Sequence, residues 1–174
     1  MEPHFLTMTR LDWNKEEVGD KSEYVVKLSD NISKFAKNIL NVLNEDYLLN
    51  LLNKIAEWLV FRLICNKFVT SIFKCKKIGG LGPQQLQLDC FELKNNFVAL
   101  NKNSSSFVGC INRMFSKCEN IIKVISSTPE TIKETYYKLI EYPNDADLEK
   151  IQNLIVPQKK PDDFKKAIPK NANK

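Results

Sequence analysis

The feature that most constrains this chain is the helical spacing of its apolar residues. In one segment after another, apolar side chains recur at intervals of three and four residues, which places them on one face of an α-helix. No segment shows the sustained two-residue alternation of a half-buried strand. The sequence therefore predicts an all-α fold, a bundle of about six stacked antiparallel helices.

Six segments carry the helical pattern, and glycine, proline, serine or asparagine separates most of them. The predicted helices cover residues 23–43, 45–74, 83–100, 106–126, 129–141 and 146–155. The second is apolar on more than one face, which is typical of a helix with neighbours on several sides. It is therefore predicted to be the core helix, and Ser22 is predicted to cap the first.

The third predicted helix follows a glycine-rich turn, residues 79–83. Pro83 suits the first helical position, where its missing N–H would have no helical partner. One apolar stripe is predicted, widened by Leu88 and Phe91, and it consists of Leu86, Cys90, Leu93, Phe97 and Leu100. The polar remainder includes Gln84, Gln85, Gln87, Asp89, Glu92 and Lys94. This polar face could bind another protein or simply face solvent.

Composition divides the chain into three parts. Residues 1–20 are expected to form an irregular lead, with Leu11 and Trp13 as anchors, and residues 21–156 a helical bundle domain. Residues 157–174 hold six of the lysines and two aspartates in a chain of net charge +5, and we expect a disordered basic tail. We expect a soluble chain, because no apolar run reaches membrane-spanning length and residues 1–20 lack the apolar core of a signal peptide.

Residues for catalysis are scarce. The glycine turn lacks the lysine of a phosphate-binding loop, and His4 is the single histidine. The five cysteines form no CxxC pair and are interpreted as reduced core thiols of a cytosolic protein. Asp89 and Glu92, three residues apart, are more typical of a solvated helix face than of a catalytic pair. We therefore expect a non-enzymatic protein without catalytic residues, cofactor or metal.

One stretch matches a specific pattern. Residues 73–94 read F-K-C-K-x-I-x-x-x-G-x-x-Q-L-x-L-D-x-x-x-L-K. Weaker matches are Gly19-Asp20-x-Ser22-x-Tyr24-Val25 upstream, and Glu119-x-x-Ile122-Lys123-Val124 and Leu148-x-x-Ile151-x-x-Leu154 downstream. Together these segments resemble the C-terminal region of the vacuolar protein sorting-associated protein 53 family, subunits of the Golgi-associated retrograde protein complex.

The resemblance implies a non-enzymatic fragment of a multisubunit tether that captures endosome-derived vesicles at the trans-Golgi network. It implies a rod of stacked helical bundles, and association with the cytosolic face of trans-Golgi and endosome membranes. The implied partners are sister tethering subunits and SNARE or other vesicle and Golgi proteins, with no cofactor and no nucleic acid.

The polar residues of the motif are the candidate site. Because core packing does not require them, we expect a partner-docking surface made of Lys74, Lys76, Gln84, Gln85 and Asp89. The alternative is that Gln85 and Asp89 cap or brace the turn. A second functional hypothesis is a helical module that binds an acidic membrane surface or nucleic acid through the basic tail.

Overall fold

A computed structural model describes residues 2–40, 54, 58 and 66–156 of the chain. Within these residues, seven α-helices and two short strands follow one another along the chain. They are α1 (Glu2–Arg10), β1 (Trp13–Lys15), α2 (Glu23–Leu40), α3 (Asn66–Ile72), β2 (Ile78–Gly80), α4 (Gly82–Val98), α5 (Ser105–Ile125), α6 (Ile132–Leu139) and α7 (Asp145–Leu154). The prediction of an all-α helical bundle is confirmed.

Helix α4 is the centre of the described structure, since it packs on α2, on α5 and on both strands. It runs antiparallel to α5, because Lys94 pairs with Glu119 and Phe97 packs on Phe115 with ring centroids 6.2 Å apart. Its predicted apolar stripe is buried from Leu86 to Phe97. The hydrophobic effect of burying these side chains holds the three helices together.

The parallel direction of α2 relative to α4 follows from two hydrogen bonds between them. The Ser22 N–H donates to Asp89 at 2.9 Å, and the Asn96 side chain donates to the Ser29 hydroxyl at 2.7 Å. Each pair is separated by the same 67 positions in sequence. Helices α2 and α4 therefore lie side by side in the same direction, starting from the same end of the bundle.

The expectation that residues 1–20 are irregular is wrong for most of them. Helix α1 buries Phe5 and Met8, and strand β1 buries Trp13 completely. Trp13 is buried as the predicted anchor, with its ring centroid 6.5 Å from that of Tyr24 on α2, and its indole N–H donates to the Met8 carbonyl at 3.0 Å. A strand of three residues is too short to show alternation, and its partner lies about 65 residues away, so local sequence patterns could not reveal it. His4, expected near a frayed end, lies in α1 beside Asn31.

Several predicted boundaries are close to those observed. Ser104 caps α5 by accepting a hydrogen bond from the Phe107 N–H, and Asn144 caps α7 in the same way through Asp147. Helix α6 begins at Ile132 rather than Pro129, since Thr128 to Thr131 form a turn instead. Most of the predicted core helix at 45–74 lies outside the described residues, as does the basic tail. Within residues 2–40 and 66–156, no helix combines the length and the apolar composition that crossing a lipid bilayer requires.

Candidate functional site

The motif at residues 73–94 coincides with the place where three distant segments of chain meet. Strand β2 pairs in parallel with β1, with Trp13 opposite Ile78. On its other side, Ile78 pairs with Ile155, and the Val156 N–H donates to the Ile78 carbonyl at 2.9 Å. Ile78 is fully buried between them. The motif isoleucine is therefore the centre of a small three-segment sheet.

Two glycines of the turn are required by the closeness of β1. Gly80 has a φ of +54°, a conformation that favours glycine, and a Cβ there would lie 2.1 Å from the Lys15 carbonyl oxygen. A Cβ at Gly82 would lie 1.9 Å from the Trp13 carbonyl oxygen. The glycines thus allow the start of α4 to approach the β1 backbone closely.

Gln85, in the first turns of α4, holds the loop between β1 and α2. Its side-chain oxygen accepts from the Gly19 N–H at 2.9 Å, and its side-chain nitrogen donates to the Asp20 carbonyl at 2.9 Å. The residue is 1% exposed. One amide side chain therefore satisfies a donor and an acceptor of a loop that offers no regular secondary structure.

Asp89 lies one helical turn after Gln85 and is fully buried. Its Oδ1 accepts from the Ser22 N–H at 2.9 Å and from the Gln85 side chain at 3.3 Å. Because α2 begins at Glu23, this carboxylate lies against the positive end of the α2 dipole. A residue of α4 thus contributes to capping α2, in addition to the local cap predicted for Ser22.

The Tyr24 hydroxyl completes this buried group. Burial raises the pKa of Tyr24 well above its usual value, and the nearby charge of Asp89 raises it further. Among the described residues, neither the Tyr24 hydroxyl nor Asp89 Oδ2 has a hydrogen-bond partner. We refer to the buried side chains of Tyr24, Gln85 and Asp89, together with the backbone groups that Gln85 and Asp89 bind at Gly19, Asp20 and Ser22, as the buried joint.

The structure divides the five predicted docking residues into two groups. Lys74, Lys76 and Gln84 are exposed, whereas Gln85 and Asp89 are buried. The prediction that all five form one exposed surface is therefore wrong for Gln85 and Asp89. A helical pattern alone assigns polar residues to solvent, and it could not show that a loop about 66 residues earlier covers these two.

Phe91 is exposed, although its position predicts a place beside the apolar stripe of α4. Its side chain is 53% exposed. The Lys94 Nζ lies 6.0 Å from the centre of its ring, and Lys94 also pairs with Glu119 at 2.6 Å. The outer face of α4 therefore presents an aromatic ring with charged groups beside it. Helical spacing alone could not show that Phe91 is exposed, because Phe91 lies next to the predicted stripe.

The described residues offer little chemistry beyond hydrogen bonding. Among them, no three histidine, cysteine or acidic side chains come together as a metal site would require. Cys75 is buried, its thiol donates to the Ser71 carbonyl, and burial raises its pKa to about 11. A thiol with this pKa is a poor nucleophile at neutral pH. The arrangement is that of a structural joint beneath an exposed helix face.

Comparison with known proteins supports the resemblance drawn from the motif. The vacuolar protein sorting-associated protein 53 homolog of Caenorhabditis elegans is 26% identical over 162 residues, which cover 85% of this chain. Vacuolar protein sorting-associated protein 53 A of Arabidopsis thaliana is 28% identical over 154 residues, or 84% of the chain. The chain resembles vacuolar protein sorting-associated protein 53. No protein-family model matches it, and no solved structure does.

The similarity covers nearly all of this chain but a small part of its relatives. The matched region is 20% of the Caenorhabditis elegans protein and 18% of the Arabidopsis thaliana protein. The chain therefore spans about a fifth of the length of these relatives of vacuolar protein sorting-associated protein 53. In the structure, the two family-like segments at residues 19–25 and 73–94 are the two halves of the buried joint.

Proposed function

We propose that this chain is a non-enzymatic part of a multisubunit vesicle tether that acts in retrograde transport from endosomes to the trans-Golgi network. The observation that carries the proposal is the similarity to two vacuolar protein sorting-associated protein 53 relatives over 84–85% of the chain. The all-α bundle supports it, because a helical bundle is the fold that the resemblance implies. A subunit of such a complex binds its partners through an exposed surface.

The outer face of α4 is the surface that we propose for protein docking. Gln84 and Gln87 are exposed on it, and Phe91 follows one turn later. Interface centres are enriched in aromatic side chains that lose their contact with water on binding, and polar groups surround them. Lys74 and Lys76, which precede β2 in the chain, are exposed as well. We assign this surface to sister subunits of the tether, working at the cytosolic face of Golgi and endosome membranes.

The buried joint holds in place the helix that carries this surface. Gln85 and Asp89 lie on α4 between the exposed positions 84, 87 and 91, and they fix the helix to the loop before α2. A side chain on a rigid element is held in place before binding, which lowers the entropic cost of association. The polar residues of the motif thus contribute to docking indirectly, by positioning α4.

An affinity capture experiment tests the proposal. The tagged full chain is expressed in cells, and recovery of tethering subunits is compared for the wild type, Phe91→Ala and Phe35→Ala. Phe35, on α2, is 39% exposed and serves as a control for losing an exposed ring. We expect Phe91→Ala to reduce recovery at least fivefold and Phe35→Ala to leave it unchanged, with equal helicity by circular dichroism.

The possible outcomes test the docking surface and the tether assignment separately. Equal recovery for both variants would show that the outer face of α4 is not the docking surface. If the wild-type chain recovers no trafficking protein at all, the tether assignment itself fails for this part of the protein.

A further inference from the structure

The turn between α5 and α6 contains an exposed threonine that the proposed function does not use. Thr128 is followed by Pro129, and no other serine or threonine among the 174 residues is followed by proline. Thr128, Pro129, Glu130 and Thr131 are all exposed. A hydroxyl group directly before a proline is what proline-directed protein kinases phosphorylate, provided that they can reach it. The turn is therefore a candidate modification site.

The backbone of Thr128 suits the binding cleft of a kinase. Proline disfavours the α conformation of the residue before it, so Thr128 is biased towards the extended backbone in which kinases bind an acceptor residue. It lies outside both α5 and α6. Its carbonyl accepts from the Thr131 N–H at 3.0 Å and from the Ile132 N–H at 2.9 Å. These bonds span at most four positions, so opening the turn leaves the hydrogen bonds between distant segments intact.

The Thr128 hydroxyl differs from the two serine hydroxyls that precede it. The Ser126 hydroxyl donates to the Ile122 carbonyl at 2.8 Å, and the Ser127 hydroxyl donates to the Lys123 carbonyl at 3.0 Å. Both serines are thus bonded to the last turn of α5. The Thr128 Oγ1 lies 3.0 Å from the Thr131 Oγ1, which is itself on an exposed residue of the turn. A kinase can therefore reach Thr128 without disturbing the end of α5.

The residues around Thr128 favour a proline-directed kinase over two other common classes. Kinases that select basic substrates need arginine or lysine two or three residues before the acceptor, and those positions hold Ser126 and Ile125. Kinases that select acidic substrates need a carboxylate three residues after the acceptor, and that position holds Thr131. The proline is thus the feature by which a kinase would select Thr128.

The phosphorylated residue would also fit the fold. The Thr128 carbonyl accepts from the N–H of Ile132, the first residue of α6, so a phosphate on Thr128 would lie near the positive end of the α6 dipole. The Thr131 hydroxyl is close enough to donate to it. Phosphate groups at the start of a helix stabilise it rather than disrupt it. We therefore expect the modified chain to keep its helices.

We propose that Thr128 is a phosphorylation site for a proline-directed protein kinase, with ATP as the phosphoryl donor. The Thr128 Oγ1 attacks the γ-phosphorus of ATP, the bond from that phosphorus to the oxygen shared with the β-phosphate breaks, and ADP leaves. The hydroxyl proton passes to the catalytic aspartate of the kinase. The change adds about two negative charges to a chain of net charge +5. The inference goes beyond the tether proposal and does not depend on it.

Phosphorylation of the purified full chain by a purified cyclin-dependent kinase with magnesium and ATP tests the proposal. Intact mass gives the number of phosphoryl groups, and fragmentation of peptides gives their positions. Thr128→Ala removes the acceptor, and Pro129→Ala keeps the acceptor but removes the proline. Thr131→Ala is the matched control, because Thr131 is an exposed threonine of the same turn that is not followed by proline. Circular dichroism checks that all variants keep the helicity of the wild type.

We expect one phosphoryl group, on Thr128, in the wild type and in Thr131→Ala, and none in Thr128→Ala. Pro129→Ala should be phosphorylated roughly tenfold more slowly or less. No phosphorylation of the wild type, or equal phosphorylation of Thr128→Ala, would overturn the proposal. The same holds if Pro129→Ala reacts as fast as the wild type, or if the group is found on Thr131, which Glu134 follows three residues later as acid-directed kinases require.

Discussion

Replacing Asp89 with alanine tests the buried joint most directly. The change removes the acceptor of the Ser22 N–H and one of the two acceptors of the Gln85 side-chain nitrogen. It also removes a negative charge from the start of α2. We expect a loss of folding stability with no change in the helical content of the folded state.

The magnitude follows from the individual contributions. A hydrogen bond to a charged group contributes about 1.5 to 3 kcal/mol, and leaving a buried donor without a partner makes the loss larger. The interaction with the α2 dipole contributes roughly 0.3 to 1 kcal/mol. Alanine is a better helix former than aspartate, which offsets about 0.5 kcal/mol of this loss of stability. We therefore expect Asp89→Ala to lower the free energy of unfolding by about 3 kcal/mol.

Urea unfolding followed by circular dichroism at 222 nm provides the measurement. Glu92→Ala is the control, because Glu92 lies on the same helix and makes a solvent-exposed pair with Lys21 at 3.4 Å. Such pairs contribute about 0.2 to 1 kcal/mol. With a urea dependence of about 1 to 3 kcal/mol per molar, the midpoint of unfolding of the Asp89 variant should lie at least about 0.7 M below that of the control. A difference between the two variants below about 1 kcal/mol would refute the assigned role of Asp89.

Three further predictions concern the turn, the core and pH. Gly82→Ala should lower the free energy of unfolding by more than about 2 kcal/mol, since its Cβ would overlap the β1 backbone. Gly109→Ala is the control, because Gly109 has open space around it, and this change should stabilise α5 by up to about 1 kcal/mol. Thermal unfolding of both variants measures the difference. Phe97→Ala should cost about 3 to 5 kcal/mol in urea unfolding and Phe91→Ala less than about 1, because only Phe97 is buried. Burial raises the pKa of Cys75 from 9.0 to about 11, so between these pH values the folded state keeps a proton that the unfolded state loses. The free energy of unfolding should therefore have its full value below pH 9 and decline as the pH rises towards 11. Urea unfolding measured across this range should show a shallower decline for Cys75→Ser.

The parts of the fold that were predictable are those determined by local spacing. Helix α5 shows this well, since its apolar stripe and its serine-rich start are both visible in the sequence, and its observed bounds differ from the predicted ones by one residue at each end. The burial of Leu86, Cys90, Leu93 and Phe97 follows from the same periodicity. Such features need no knowledge of what the helix packs against.

The candidate site depended on contacts that local spacing does not contain. Gln85 and Asp89 are polar residues of a helix, and if core packing does not require them, they are expected on the exposed side of α4, which is the wrong side. They are required, because an irregular loop at residues 19–22 brings backbone groups that need hydrogen-bond partners. The alternative that these residues brace the turn was nearer to the structure, although the segment that they hold is the loop before α2.

The separation of the two halves of the buried joint has a consequence during protein synthesis. Gly19 and its partner Gln85 are 66 positions apart. At translation rates of about 5 to 20 residues per second, the earlier half leaves the ribosome roughly 3 to 13 seconds before the later one. Until then Trp13 has no second strand to cover it, and the start of α2 has no carboxylate. The segment with residues 13–22 therefore stays without these native partners until α4 emerges.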